Sequence, residues 1–379
     1  MVGFFIINYI CLIAALWSKI PIKLYFLWMM AIFSIVAFIY DPFLQARISG
    51  TDGVDLCRHF DTLDMIRLGL TDSVYIEAPL SALYLNLIAY LFDNNHFLPV
   101  ISLWIYYGIY FFVMNKFLSY TGVDEALKFF SIGLCILCDV FFWSMDNIRY
   151  PIAIMLFSLV LYYDTVSKAK TVAILYILPI LMHPGILILL SIRIMAKFKF
   201  IYSVILLSLL GIIMTQYYES ILMSAISVFA SLPDIQSLFL AISMKSINYS
   251  TESVYDIPLI YRVLNIYITL CLFFVYCLAR NIGIDNNIQI KILCRMTLLT
   301  VFLSTVGTVA NFMEGNFTAR ILSIAPVFLT VLAGNVLLIY KQKSLERCMY
   351  IKVFLFCILL PYMLVYIFKI YPNWIYSVL

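Results

Sequence analysis

Asp146-Asn147-Ile148-Arg149-Tyr150-Pro151 opens an apolar run that closes at Ser167-Lys168-Ala169-Lys170, and a second apolar run from there stops at His183-Pro184-Gly185. Runs of this kind joined by a short basic loop read as two consecutive membrane segments. Arg149 then stands at the start of one segment and His183 at the end of the next. Two crossings return a chain to the side it left, so both residues belong to one face of the membrane.

The whole chain has the same character. Of 379 residues, 65% are hydrophobic and only 12% charged, and the mean hydropathy is +1.04, far from the composition of a soluble domain or a nucleic-acid-binding protein. Apolar runs of about 15 to 22 residues recur, and a span needs roughly 20 residues to cross ~30 Å of hydrocarbon. Lipid satisfies no backbone polar group, so each run is expected to be a helix. Spans are expected at 2–17, 24–40, 79–92, 98–114, 129–145, 149–164, 171–183, 185–196, 200–215, 259–278, 292–310, 321–340 and 353–370. The first is expected to be a retained helix, because no basic segment precedes it and no small-residue cleavage site follows. Tyrosines cluster near segment ends, at Tyr106-Tyr107, Tyr162-Tyr163 and Tyr217-Tyr218, as interfacial anchors do. Most of the nine Cys lie inside apolar runs, where they act as small hydrophobes. Cys135 and Cys138 have no second pair or nearby His to make a metal site.

Basic loops set the sidedness. Lys19 and Lys23, Lys168 and Lys170, Arg193, Lys197 and Lys199, Arg280 and Lys291, and Lys341, Lys343, Arg347 and Lys352 mark the cytoplasmic loops. The loops 41–78, 146–149, 183–184, 216–258 and 311–320 are then periplasmic. The chain is one integral membrane domain, with 41–78 and 216–258 as its two large outer loops. Two segments lie between the Asp41 loop and the loop of Lys116 and Lys128, where parity requires an odd number of crossings. The segment 79–92 is therefore expected to be a half-crossing or re-entrant helix, leaving about twelve full crossings.

Outward-facing cations are mostly Arg: Arg47, Arg58, Arg67, Arg149, Arg262 and Arg320, against Lys245 and Lys369. Guanidinium is a planar fork that holds phosphate oxygens bidentately, so this bias points to an anionic ligand. For Arg149 and Arg320, which flank helix ends, snorkelling to the interface is the alternative. The loop 41–78 carries seven acids against three Arg. It reads either as an amphipathic surface helix over 56–70 laced with ion pairs or as a turn, Gly50-Thr51-Asp52, that aims a carboxylate at a sugar. Stretches 221–232 and 235–244 of the second loop read as interfacial helices covering the outer face.

The order Asn147, Arg149, Ala153, a short basic loop, then His183 before Pro184-Gly185 resembles the EpsG-like branch of the Wzy-type polysaccharide polymerases. Arg47 followed by Gly50-Thr51-Asp52, and later Glu77-Ala78-Pro79, is similar to the first periplasmic loop of that family, although Leu56 and Cys57 stand where the family usually carries Tyr. The string from Asn311 through Glu314 to Arg320 is similar to its late Arg segment. The resemblance implies an all-α polytopic membrane protein with a GT-C-like fold that joins undecaprenyl-diphosphate-linked repeat units of O-antigen, capsule or exopolysaccharide at the periplasmic face of the bacterial inner membrane. The expected base is His183 first and Asp52 second. Arg149 and Arg320 are expected on the diphosphate, with Arg47, Arg58, Arg262 and Glu77 as further substrate contacts and Asp146, Asp139 and Glu314 as secondary candidates. No metal, soluble cofactor or nucleic acid is expected. The partners implied are the lipid-linked glycan, membrane lipid, and the chain-length regulator and flippase of the same pathway. An O-antigen ligase or other lipid-linked-sugar transferase is the nearer alternative, and a lipid-linked oligosaccharide flippase the further one.

Overall fold

The computed structural model describes residues 2–18, 20–43, 55–70, 75, 77–138, 145, 147–167, 170–206, 259–284, 290–309 and 316–365. Among the described residues every regular element is helical: α1 (Val2–Ala15), α2 (Ile22–Ile39), α3 (Asp55–Arg67), α4 (Pro79–Leu91), α5 (Phe97–Tyr120), α6 (Glu125–Leu137), α7 (Arg149–Val166), a 3-10 stretch (Lys170–Tyr176) running into α8 (Ile177–Met182), a 3-10 turn (Pro184–Ile186) running into α9 (Leu187–Met195), α10 (Leu259–Asn281), α11 (Lys291–Val309), α12 (Asn316–Leu322), α13 (Ala325–Lys343) and α14 (Leu345–Val365). Seven helical stretches, 22–39, 97–120, 149–167, 262–281, 291–308, 318–343 and 345–365, are long and apolar enough to cross a bilayer. That is the architecture of a multi-pass membrane protein.

Burial runs inside out relative to a soluble fold. α13 is the central strut: Val327, Phe328, Val331, Leu332, Val336 and Leu337 are all fully buried, and it packs against α5, α6, α10 and α14. Gly334 makes that contact possible, since a Cβ there would stand 2.5 Å from Leu118 Cδ2 of α5. The peripheral helices expose large apolar side chains, among them Leu24 and Leu27 of α2 and Met349 and Phe354 of α14. Water would not tolerate such a surface, and hydrocarbon does. Local signals set the helix ends. Asp124 caps α6 by accepting from the Leu127 N–H at 3.2 Å, and Pro79 opens α4 where its missing N–H costs nothing.

Helices α2 and α5 pack antiparallel, as Phe38 against Phe97 (ring centroids 5.4 Å), Trp104 Nε1 donating to Ser34 Oγ (2.9 Å) and Phe26 against Phe111 (4.7 Å) show along their length. The end of α2 therefore lies beside the start of α5. The short helices α3 and α4 fill the sequence between these two points without crossing the bundle. Their C-terminal ends meet there, with Arg67 donating to the Phe92 carbonyl at 2.7 Å. Their N-terminal ends lie together at the other side, with Tyr75 on His59 and Ser81 Oγ on the Met182 carbonyl at 2.5 Å. The half-crossing expected of 79–92 is thus a 13-residue helix, about 20 Å long at 1.5 Å per residue, which begins inside the bundle and rises to the end where α5 starts.

Depth follows from the same rise. α7 runs alongside α5, with Phe117 against Tyr162 at 5.0 Å. α3 and α4 both run from the Arg149 level to the end where α5 begins, so that level lies one short helix, at most about 20 Å, below that end. The tip of the hairpin of α8 and α9 lies at the same level. At its base Asp164 accepts from Arg193 (Nε 2.9 Å, Nη2 2.7 Å) and from the Tyr176 hydroxyl (3.0 Å), with Arg193 buried. At its tip His183 meets Tyr150. The two arms, Thr171–Met182 and Pro184–Met195, are apolar helical stretches of about 20 Å each, shorter than the seven candidate spans.

Candidate active site

Four helical segments begin at one recess. α3 starts at Asp55, α4 at Pro79, α7 at Arg149, and the 3-10 turn leading to α9 at Pro184. The starts of α3, α4 and α7 carry the positive ends of helix dipoles, while the N–H groups of the 3-10 turn are engaged, Gly185 on His183 Nδ1 and Ile186 on the His183 carbonyl. Convergence of such ends is a setting for an anion, and the side chains reinforce it.

The guanidinium of Arg149 lies over the Tyr75 ring, 3.8 Å from its centroid, a close cation–π contact. Its Nε is buried with no hydrogen-bond partner among the described residues. Tyr75 in turn is held by His59, whose Nδ1 lies 3.2 Å from the Tyr75 hydroxyl, and Asp55 Oδ2 stands 3.7 Å from His59 Nε2 on the next turn. Arg58 pairs with Asp55 from a mostly exposed position. Tyr75 has φ +60°, the only positive φ at a non-glycine among the described residues. A β-carbon-bearing residue in that region costs energy and is kept where the surroundings over-determine it, a pattern concentrated at functional sites.

His59 has no exposed surface. Burial chiefly, with the charges of Arg149 and Arg58, pushes its pKa down to about 4, against the pull of Asp55. Burial works against the Asp55 carboxylate too, but the positive charge around it from His59, Arg58 and Arg149 more than offsets this and holds its pKa below the ordinary value. His59 is therefore neutral in the fold and titrates near 6.5 when unfolded, so the unfolded chain binds the extra proton between those values. Stability from this contact is complete above pH 6.5 and drains as the pH falls toward 4, by about 2 kcal/mol at pH 5 at 1.36 kcal/mol per unit. Protection of the α3 amides against hydrogen exchange, corrected for the intrinsic slowing of exchange as the pH falls, is expected to weaken between pH 7 and pH 5, and His59→Gln to flatten that dependence.

The second half of the recess is organised by Tyr150. Its ring meets the His183 ring edge-on at 5.0 Å, its hydroxyl donates to the Arg320 carbonyl at 2.9 Å, and the Arg320 guanidinium lies 5.8 Å from its ring. The Gly185 N–H donates to His183 Nδ1 at 3.0 Å. An Nδ1 that accepts leaves the proton of a neutral imidazole on Nε2. In this geometry Nδ1 of His183 is engaged by the Gly185 N–H, and a proton on a neutral ring sits on Nε2. Gly185 is required by the same contact, because a Cβ there would come within 2.9 Å of His183 Nδ1 and 3.3 Å of Tyr150 Cε2. Gly185→Ala is expected to turn the His183 ring away and lower turnover about 10²-fold with little change in thermal unfolding. Combined with His183→Ala it should cost no more than His183→Ala alone.

No family model, curated protein or solved structure matches this chain. The site therefore rests on its own geometry. Of the residues expected from the sequence, the recess brings together Arg149, Arg320, His183 and Arg58, with Glu77 half-buried in the turn that enters α4. Arg262 is half-buried near the start of α10, which packs against the short helix bearing Arg320. Asp52, Arg47, Asp146, Asp139 and Glu314 lie outside the described residues, as do the interfacial helices expected at 221–232 and 235–244. Tyr75, His59, Asp55 and Tyr150 were not singled out by the sequence. For Asp55 and His59 a signal existed, an acid and a His four residues apart on one helix face. For Tyr75 there was none.

Proposed function

We propose that this protein is a membrane glycosyltransferase that joins polyprenyl-diphosphate-linked glycan units, acting as a polymerase of the Wzy type at the outer face of a bacterial inner membrane. The observation that carries the reading is the Arg149 fork, set over Tyr75 with a buried Nε unpartnered among the described residues, at the meeting point of four helical N-termini. In the reaction, a hydroxyl of one lipid-linked glycan attacks the anomeric carbon of another. The new C–O bond forms as the bond to diphosphate breaks, and the hydroxyl proton goes to a base. The leaving diphosphate keeps its charge, so it needs neutralising more than protonating. Fixed cations and N–H dipoles supply that without reorganisation.

Arg149 and Arg320 bind the diphosphate, His183 donates from Nε2 to an oxygen of the same group, and Asp52 is the base. A recess set below the bundle end suits a headgroup whose polyprenyl tail remains in lipid. The test is a reconstitution: purified protein in detergent, supplied with undecaprenyl-diphosphate repeat units and a chelator, gives a ladder of products differing by whole repeats. A single transfer to a different acceptor would assign it as a ligase. A requirement for a nucleotide sugar would overturn the mechanism.

A further inference from the structure

On the other side of α3 from the recess lies a groove of about 590 Å³, within the ~300–1,000 Å³ range of small-molecule sites. Asp41 and Phe43 beyond α2, Phe60 of α3, and Asp93, Asn95 and His96 between α4 and α5 line it, with Asn94 beside them. Its walls are braced. Arg67 donates to Asn95 Oδ1 and to Asp64 (2.9 Å), Asn95 Nδ2 donates to Asp64 at 3.0 Å, and Asn94 Oδ1 accepts from the His96 N–H at 2.9 Å. Phe60 meets His96 edge-on at 5.4 Å and Phe43 at 6.2 Å. His96 Nδ1 is buried with no hydrogen-bond partner among the described residues, a polar atom whose desolvation is uncompensated by the protein.

The groove's chemistry is the opposite of the recess. Two carboxylates and two amides line it, and no Lys or Arg does among the described residues, so a phosphate would be repelled. The exposed Asp93 carboxylate accepts from hydroxyls and the exposed Asn94 amide donates to them, and Phe43, 38% exposed, offers an apolar face to C–H groups. Asn95, bonded to Arg67, Asp64 and the Phe60 carbonyl, and the buried Phe60 form the wall behind them. Recess and groove share one helix: Asp55, Arg58 and His59 face the first, while Phe60, the residue after His59, faces the second.

We propose that this groove is a subsite for uncharged, hydroxyl-rich sugar residues of the glycan, leading the chain away from its diphosphate end. The proposal rests on the glycosyltransferase reading for which molecule arrives, but the sugar-binding chemistry stands on the groove alone. It makes the enzyme hold its substrate at two chemically distinct points, charge in the recess and hydroxyls in the groove.

The test separates the two. Full-length protein in detergent is titrated with two probes: phosphate-free oligosaccharide released by mild acid from the host's own surface glycan, and inorganic pyrophosphate. Asp93→Ala and Asn94→Ala both replace exposed side chains; Asn94→Ala also removes the brace on the His96 N–H, so Asp93→Ala is the variant that leaves the wall intact. Each is expected to weaken oligosaccharide binding about fivefold, the worth of one hydrogen bond, and to leave pyrophosphate binding unchanged. Phe60→Leu is expected to weaken it further. Arg149→Lys should do the reverse, lowering pyrophosphate affinity and sparing the oligosaccharide. Oligosaccharide binding indifferent to both Asp93→Ala and Asn94→Ala, or absent from the unaltered protein, would overturn the subsite. Binding with these sensitivities in a protein that forms no ladder would uphold the subsite and refute the polymerase.

Discussion

Arg149→Lys is expected to lower the initial rate of coupling between undecaprenyl-diphosphate glycans by 10²-fold to 10³-fold, the loss that follows removal of one fixed donor to a developing charge. Charge is conserved in this substitution, so the loss would come from geometry. Guanidinium is planar and can lie 3.8 Å over the Tyr75 ring while its edge presents parallel N–H groups. An ammonium is a point charge that cannot do both. Arg58→Lys provides the contrast. Arg58 is 73% exposed in its pair with Asp55, and an exposed pair contributes little, so its rate should fall less than about fivefold. Equal protein levels and equal thermal unfolding must accompany the comparison. A near-normal rate from Arg149→Lys would assign that side chain to anchoring at the interface.

The second large effect separates base from donor. Asp52→Asn is expected to cost 10²-fold to 10⁴-fold and to abolish the acid limb of the pH–rate profile, since the group whose ionisation produces that limb is gone. His183→Ala is expected to cost about 10²-fold and to keep the limb, because a neutral imidazole with Nδ1 occupied by the Gly185 N–H donates from Nε2. Loss of the limb in His183→Ala, with its retention in Asp52→Asn, would reverse the two roles.

Much of this was legible in the sequence because membrane insertion is a coarse constraint. Run lengths and basic loops brought Arg149 and His183 to one face, and the structure joins them through Tyr150. The parity mismatch around 79–92 was also informative, since it required one segment not to cross, and α4 is a 13-residue helix, shorter than the candidate spans. Other features were out of reach for physical reasons. Tyr75 matters through a left-handed backbone angle and a ring under a guanidinium, and neither leaves a mark on hydropathy or spacing. Tyr150 sat inside the quoted motif, but a chain with 28 Tyr offers interfacial anchoring as an equally good account of any one of them. The bond from the Gly185 N–H to His183 Nδ1 was out of reach because a backbone N–H two residues on leaves no mark on composition. The 3-10 stretches before α8 and α9 were hidden because 3-10 and α segments look alike as apolar runs.

Tyr150 also bears on when the enzyme can work. Its hydroxyl is bonded to the carbonyl of a residue 170 positions later in the chain. At 5–20 residues per second, that residue leaves the ribosome on the order of ten to thirty seconds after Tyr150. During that interval Arg149, Tyr75 and His183 can already be inserted and folded, yet the second cation is missing and the bond from the Tyr150 hydroxyl to the Arg320 carbonyl cannot form. On the proposed function, the nascent protein therefore passes through a stage with only half of its diphosphate site. Truncated chains ending before Arg320 should accumulate in the membrane and be inert, and co-expression of the C-terminal third as a separate fragment is the natural way to switch them on.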